Sequence, residues 1–418
     1  VKPNRHLWFI FVALLLIHVI LISILYSPEL SADEGRYLSY AENITNGFYT
    51  DHVDPVLRNG PGYPLFLAML LALGAGKFIM VISNALFIVV GTVCLYRALN
   101  HYLLTWKSVA VALVASFYPV ILKWEYLAVS ESFTYMLSCL FVYHLVTYYS
   151  YENGKNKHLV YGSVFLGVLS LTKVIFGYVL LIGVLSFLIL GLLTRTKLWK
   201  APTFIFCSAL IVCVPYLIYT YSLTGKIFYW GSQGGEILYW RTTPYPEEYG
   251  DWVDGNLIIG QTSSDQYNDL SKLKKNHGEF YSGIANLPNV EKDKAFKAQA
   301  VNNIKKHPSK YLRNTFASAL RIFYNYPYSY TPQKLTTFLY ILPNTFLLVA
   351  MTTSILLLAL NYKVVKPEVV LLLGISLIYL VGICLLNGKP RHFLPILPLS
   401  VIFVSFSLER FLFLKKIK

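Results

Sequence analysis

Apolar runs close to the ~20 residues that an α-helix needs to cross a bilayer core punctuate this chain. They recur at 7–26, 78–96, 132–149, 174–193, 203–221, 335–360, 369–386 and 393–414, and two shorter ones lie at 109–122 and 159–171. The short pair is marginal in isolation but fits inside a bundle. The pattern predicts an all-α polytopic membrane protein with about ten transmembrane helices. Composition agrees, since 56% of the 418 residues are hydrophobic and only 14% are charged. That is too little charge to clothe a soluble surface over the whole length.

The first run follows Lys2 and Arg5 and so resembles a secretory signal. A signal core is usually ~7–15 residues and ends at a small-residue cleavage site. This run is longer, which predicts an uncleaved first helix. Basic residues set the orientation. With both termini in the cytoplasm, ten crossings place Arg97, Lys107, Lys155, Lys157, Arg195, Lys197, Lys200, Lys363, Lys366 and Lys415-Lys416 inside. The opposite side then holds 28–61, 123–130, Lys173, 225–333 and 387–392. Shifting the parity by one crossing would put the richest cationic clusters outside. The net charge of +15 is thus mostly an orientation signal, not a continuous stripe, and a nucleic-acid partner is excluded. The five cysteines, Cys94, Cys139, Cys207, Cys213 and Cys384, all fall in hydrophobic spans as small apolar fillers. They form neither a disulfide framework nor a metal-ligand cluster.

Three parts follow: an N-terminal membrane block, 1–223, with a first outer loop at 27–64; a hydrophilic insert, 224–334; and a C-terminal membrane block, 335–418. An insert of that length is more than a connector. It predicts a small α or α+β subdomain resting on the membrane. Residues 292–323 show helical spacing broken at Pro308, an amphipathic pair near the headgroups. In the first outer loop, Tyr37, Tyr40, Ala41 and Ile44 fall at i, i+3, i+4 and i+7, a short helix stopped by Gly47. The apolar run 65–73 is too short to span and is read as interfacial. No internal repeat is visible, which counts against duplicated secondary-transporter folds.

Parity gathers chemistry on one side. Asp33, Glu34, Arg58, Glu131, Lys173, Lys389, Arg391 and His392 are spread over more than 350 residues, yet all map to the outer face. Charges at membrane depth are costly, at least ~2–3 kcal/mol each near the middle, so they usually face a cavity or a partner. Carboxylates and cations converging there suit a substrate with a phosphate and a transferable group. Each residue also has a plainer role. Asp33 fits a helix N-cap, Glu34 and Glu131 fit first-turn acids beside a helix dipole, and Lys173 and Arg391 fit headgroup anchors. Their joint placement is what favours a reaction centre.

The residues resemble a known family at this point. Asp33-Glu34 with Tyr37, Gly47 and Asn59-Gly60-Pro61-Gly62-Tyr63-Pro64 resembles the first outer loop of the membrane-embedded C-type glycosyltransferases. The nearest branch is that of the protein O-mannosyltransferases and lipid A aminoarabinose transferases. Ser130-Glu131 is similar to the family's second acidic position, and Leu171-Thr172-Lys173 to a junction that often reads Leu-Thr-Arg. Gly225-Lys226, Ser232, Gly234-Gly235 and Leu238-Tyr239 resemble the opening of its large outer loop. His307-Pro308 with Tyr311-Leu312 is similar to a late His-Pro-x-x-Tyr element, and Arg391-His392-Phe393-Leu394-Pro395 to an Arg-Tyr-x-x-Pro before the last helix. Two departures stand out. His392 replaces the usual Tyr, and Arg58-Asn59-Gly60-Pro61 stands where some relatives have Lys-Pro-Pro, which leaves the phosphate contact open between Arg58 and the C-terminal cations.

The resemblance implies a polyprenyl-phosphate-linked sugar donor, transfer on the extracytoplasmic face and inversion at the anomeric carbon. A hydroxyl is a weak nucleophile, so a carboxylate in reach must take its proton. Asp33 is the candidate base, with Glu34 beside it. The leaving oxyanion needs cations, for which Arg58, Lys173 and Arg391 are candidates and Lys389 a weaker one. Glu34 and Glu131 would orient sugar hydroxyls or the acceptor, and Tyr37 and His392 complete the substrate-binding set. No cofactor and no metal are expected. The acceptor is a lipid, a glycan or a protein hydroxyl, and the expected location is a bacterial inner membrane. The rivals are a lipid-linked sugar flippase and an O-antigen ligase or polymerase. A flippase would carry charges midway along its helices and short loops, whereas these helix centres are nearly free of charge. A ligase loop is usually arginine-rich, and this one is rich in lysine.

Overall fold

The computed structural model describes residues 5–31, 33–151, 156–260, 270–333 and 335–413. Of the cations used above for orientation, Lys2, Lys155, Lys415 and Lys416 lie outside the described residues. In chain order the first helices are α1 (Arg5–Leu25), α2 (Glu34–Thr45), α3 (Gly62–Ala72), α4 (Lys77–Leu99), α5 (Thr105–Ser116), α6 (Pro119–Trp124), α7 (Glu131–Ser150) and α8 (Asn156–Thr172). Then come α9 (Ile175–Thr194), α10 (Lys200–Thr224), α11 (Gly234–Arg241), α12 (Gly255–Ile258), α13 (Leu270–Ile284), α14 (Asn289–Lys306) and α15 (Pro308–Tyr324). The last are α16 (Phe338–Leu360), α17 (Pro367–Leu386) and α18 (Leu397–Ser407).

Among the described residues, eight helical segments are long and apolar enough to cross a membrane. They are Leu7–Leu25, Lys77–Leu99, Thr105–Trp124, Ile175–Thr194, Lys200–Thr224, Leu335–Leu360, Pro367–Leu386 and Pro390–Leu412. The two further crossings expected from the sequence correspond to α7 and α8. These are less apolar because they sit inside the bundle, where α4 packs on α7, α7 on α8 and α8 on α10. Since α7 and α8 form a consecutive pair, counting both or neither leaves the parity of every other loop unchanged. Large apolar side chains on the outer helices, such as Phe9 and Ile24 on α1, Leu192 and Leu193 on α9 and Phe346 on α16, stay exposed. Those faces are the ones a bilayer would cover.

The first outer loop folds as its periodicity dictates. Helix α2 buries Tyr37, Tyr40 and Ala41 and ends where Gly47 takes φ +89°. Helix α3, too short to span, packs against α2 and the end of α8. Here glycine is required for closeness. A Cβ on Gly60 would lie 2.0 Å from the carbonyl oxygen of Leu171, and one on Gly62 would lie 2.3 Å from Thr172 Oγ1. The Asn59–Pro64 segment therefore lies flat on the junction from which Lys173 emerges.

Among its described residues the insert has helices joined by irregular segments and no strand, and it has its own core, with Tyr239, Trp240, Leu257, Leu273, Tyr281 and Phe296 at its centre. The amphipathic pair is α14 and α15, which meet at His307-Pro308. Two fully buried arginines join the insert to the bundle through backbone carbonyls. Across the boundary Arg241 donates to Leu386 O (2.8 Å) and Arg321 to Gly388 O (3.4 Å), while within the insert Arg241 also donates to Asn314 O (2.6 Å) and Arg321 to Pro327 O (2.8 Å) and Tyr249 O (3.0 Å). The Gly388 amide donates to Ser318 Oγ at 2.7 Å. The short connection that delivers Lys389 and Arg391 is thus fixed by the insert.

Candidate active site

Five separate segments converge at one end of the bundle. Asp33 precedes α2, and its carboxylate is held by two guanidiniums: Arg391 Nη1 is 2.7 Å from Oδ2 and Arg36 Nη2 is 2.9 Å from Oδ1. Arg391 also faces Glu131 Oε1 at 3.9 Å, and Lys173 Nζ lies 3.3 Å from that same oxygen. Lys173 further donates to Ser130 Oγ (2.9 Å), which is 3.0 Å from Tyr37 OH. Asn59 completes the ring, donating to Tyr37 OH at 3.1 Å and accepting from Arg36 Nε at 2.6 Å. The Arg391 guanidinium rests on the Trp124 face, and the Lys389 ammonium lies 5.3 Å from the centre of the Trp252 ring.

The charges do not balance. Four cations (Arg36, Lys173, Lys389, Arg391) meet three carboxylates (Asp33, Glu131 and, beside Lys389, Asp251), a surplus of one positive charge. Burial alone would raise the Asp33 pKa, but Arg391 and Arg36 outweigh it and hold the carboxyl well below the usual carboxylate range. Burial, reinforced by Arg391, pulls Lys389 down to about 8 against the raising influence of Asp251 and Asp33. Burial also lowers Lys173, which Glu131 partly restores. Tyr37 is pushed above the ordinary phenol range by burial and then by Glu131 and Asp33, so it acts as a neutral hydrogen-bonding group. Glu131 Oε2 is buried without a hydrogen-bond partner in the protein. Surplus positive charge, a partly exposed carboxylate and a carboxylate oxygen without a partner among the described residues are features that suit an anion carrying hydroxyls.

The candidate residues are not all brought together. Asp33, Tyr37, Glu131, Lys173 and Arg391 form the cluster, and Lys389 flanks it. Glu34 turns away. It is fully buried and accepts from the Ala128 amide (2.8 Å), the Ser31 amide (2.9 Å) and Lys77 (3.2 Å). It thereby ties down the 125–130 segment that carries Ser130. Asn84 helps by donating to the carbonyls of Glu125 and Leu127, and His18 Nδ1 lies 2.5 Å from Glu125 Oε2. Arg58 is exposed and outside the cluster, near enough to Glu236 of the insert and to Tyr40 for its charge to act on both. His392 is bound through Nδ1 to the Asn387 carbonyl at 2.5 Å. Arg36, Asn59, Ser130 and Trp124 join the cluster without having been singled out from the sequence. The Asp33–Arg36 pair at i, i+3 was a readable signal. Among the described residues, no group of three His, Cys, Asp or Glu gathers that could hold a metal ion.

Residues 58–219 match the profile of the family described as dolichyl-phosphate-mannose-protein mannosyltransferase. The matched segment takes in Arg58, Glu131 and Lys173. No curated protein sequence matches the chain. Among solved structures, ArnT from Cupriavidus metallidurans bound to undecaprenyl phosphate is similar at 14% identity and a TM-score of 0.41, over 97% of this chain and 78% of that one. The same protein in the apo state matches at 13% identity and a TM-score of 0.41, over 96% and 77%.

Proposed function

We propose, for a chain whose residues 58–219 match the profile described as dolichyl-phosphate-mannose-protein mannosyltransferase, that it moves a sugar from a polyprenyl-phosphate donor to an acceptor hydroxyl. The observation that carries this reading is Asp33 held between Arg391 and Arg36 within a cluster of surplus positive charge. The donor's phosphodiester supplies the missing negative charge. Lys173, Lys389 and Arg391 would meet its oxygens, arginine with its planar fork and lysine as a point charge.

Asp33 as it stands is a poor base, since its two guanidiniums stabilise the carboxylate. A donor phosphate competes for Arg391, and each step by which that guanidinium shifts toward phosphate returns basicity to Asp33. Loading the donor thus arms the base. The acceptor oxygen then attacks the anomeric carbon from the face opposite the phosphate, and its proton passes to Asp33. The C1–O bond breaks with its electron pair on the phosphate, which leaves as polyprenyl phosphate with its new charge met by the cations. The products are an inverted glycoside and the free lipid phosphate. Glu131 would fix a sugar or acceptor hydroxyl through its unpaired oxygen, while Glu34 acts indirectly by holding the 125–130 segment. In the orientation set by the basic residues, this face is extracytoplasmic, and a bacterial inner membrane is the proposed location. The proposal invokes no metal and no cofactor.

The test is the lipid pool of cells carrying wild-type protein or Asp33→Asn at matched expression, read by mass spectrometry. Accumulation of a sugar-loaded polyprenyl phosphate only in the variant supports transfer and names the sugar class. An unchanged pool, with an envelope altered only by deleting the whole protein, would favour the flippase reading instead.

A further inference from the structure

The insert presents a second set of groups beside the cation cluster, and they suit a neutral, hydroxyl-rich ring. The first outer loop is pinned to the insert at two points. The Leu57 amide donates to Ser232 Oγ (3.0 Å), the Ser232 amide to Leu57 O (2.8 Å), and Asp54 accepts from the Asn289 amide (2.7 Å) and side chain (2.8 Å). This docking fixes Arg58 near the start of α11, where its charge acts on Glu236. Tyr281 of α13 donates to Glu236 Oε1 at 3.3 Å. Burial raises the Glu236 pKa, and Arg58 together with hydrogen bonds from Trp252, Tyr281 and Gln233 opposes it. Trp252 stands between this group and the cluster, its ring 5.3 Å from the Lys389 ammonium and its indole N–H turned to the Glu236 carboxylate.

The geometry points to a subsite for the donor's sugar ring formed by Trp252, Glu236 and Arg58, an assignment that rests on the glycosyltransfer reading. The argument is one of reach. In a sugar phosphate the ring is a single oxygen away from the phosphorus. If Lys389 and Arg391 hold the phosphate, the ring must lie about one ring's width from the Lys389 ammonium, which is where Trp252 stands. A phosphate that draws the ammonium toward itself also uncovers the indole face on which an apolar sugar face packs. A ring hydroxyl that enters between Trp252 and Glu236 can take up the indole N–H now directed at Glu236. Glu236 and Arg58, one accepting and one donating, would bracket neighbouring hydroxyls, as polar groups do in a largely apolar pocket. Arg58, outside the phosphate cluster, thereby gains a role in reading the sugar.

The experiment is native mass spectrometry of the full-length protein in nanodiscs, titrated with a short-chain polyprenyl-phosphate hexose or with the same polyprenyl phosphate lacking sugar. We expect wild type to prefer the sugar-bearing lipid by roughly 10-fold, and Glu236→Gln and Trp252→Leu to bring that ratio close to one, with affinity for the bare lipid changed less than about 2-fold. Glu236→Gln preserves size and the Tyr281 contact, so it tests the carboxylate even if Trp252→Leu disturbs the insert. Both folded variants keeping the wild-type preference would overturn the subsite. So would a wild type that binds both lipids equally, while leaving the phosphate cluster intact. A wild type that binds neither lipid overturns the glycosyltransfer reading itself, and the subsite with it.

Discussion

Two carboxylates, buried Glu248 in the insert and half-buried Asp33 at the bundle end, are surrounded in opposite ways. Glu248 is 1% exposed and its oxygens are taken up by His277 Nε2 (3.0 Å), Asn276 Nδ2 (2.9 Å), Thr243 and Tyr330. Those partners are nearly all neutral donors of one small core, and Tyr239 OH steadies His277 from behind at 2.7 Å. Asp33 is 20% exposed and faces two guanidiniums, Arg36 three residues along the chain and Arg391 from the C-terminal block. A carboxylate saturated by local donors organises its own fold. A carboxylate left partly open amid excess cations is set for something that arrives from outside. The contrast predicts that stability and turnover separate between the two sites.

The largest expected effect is at Asp33. Asp33→Asn keeps size and removes the proton acceptor, so turnover should fall by ~10²–10⁴ while the melting temperature stays within a few degrees of wild type. A variant that retains near-normal sugar transfer would leave Asp33 only the structural role of holding Arg36 and Arg391 in place. Arg391→Ala comes next, because it removes a phosphate partner and the group that tunes Asp33. A loss of ~10²–10³ in turnover is expected, with the free lipid phosphate also binding more weakly. Equal binding in the variant and wild type would break the link between Arg391 and the leaving group.

Glu248→Ala should invert that pattern. It leaves His277, Asn276, Thr243 and Tyr330 with donors unmet in a dry core, at a cost of about 1–3 kcal/mol. The expected reading is a lower melting temperature and greater proteolysis of the insert, with turnover per folded molecule close to wild type. A large loss of turnover without loss of stability would make Glu248 part of the chemistry and dissolve the comparison.

Sequence reading reached these two regions unequally, for physical reasons. Spans are visible because lipid imposes length and apolarity on every crossing. Helix α2 and the break at Pro308 are visible because a 3.6-residue period and a missing N–H are local facts. The cluster of Asp33, Glu131, Lys173 and Arg391 was legible only through parity, which says which loops share a face but not which side chains touch. That limit explains Glu34 and Arg58. Adjacent helical residues point about 100° apart, so Asp33 faces the cations while Glu34 faces Ala128 and Lys77. Arg58 and Asn59 likewise diverge, one outside the cluster near Glu236 and the other toward Tyr37. The Glu248 hub was not legible, since its partners lie up to 82 residues away and no period or spacing announces them.

The smallest expected effect is a change in pH dependence at Lys389. Burial and the neighbouring Arg391 bring this ammonium down to about 8, so it carries its charge below that pH and loses it as pH rises through it. If Lys389 holds donor phosphate, affinity for a polyprenyl-phosphate sugar should weaken by a few-fold between about pH 7 and 9.5. Bound phosphate favours the charged form, so the limb should move to higher pH in the complex. Lys389→Arg keeps the charge at every accessible pH. Its affinity should therefore stay level across that range, with a value at pH 7 within about 2–3-fold of wild type. The same falling limb in both proteins would assign it to another group, with Lys173 the next to test, since burial lowers it too. A flat profile in wild type would mean that Lys389 stays over Trp252 and never meets the phosphate.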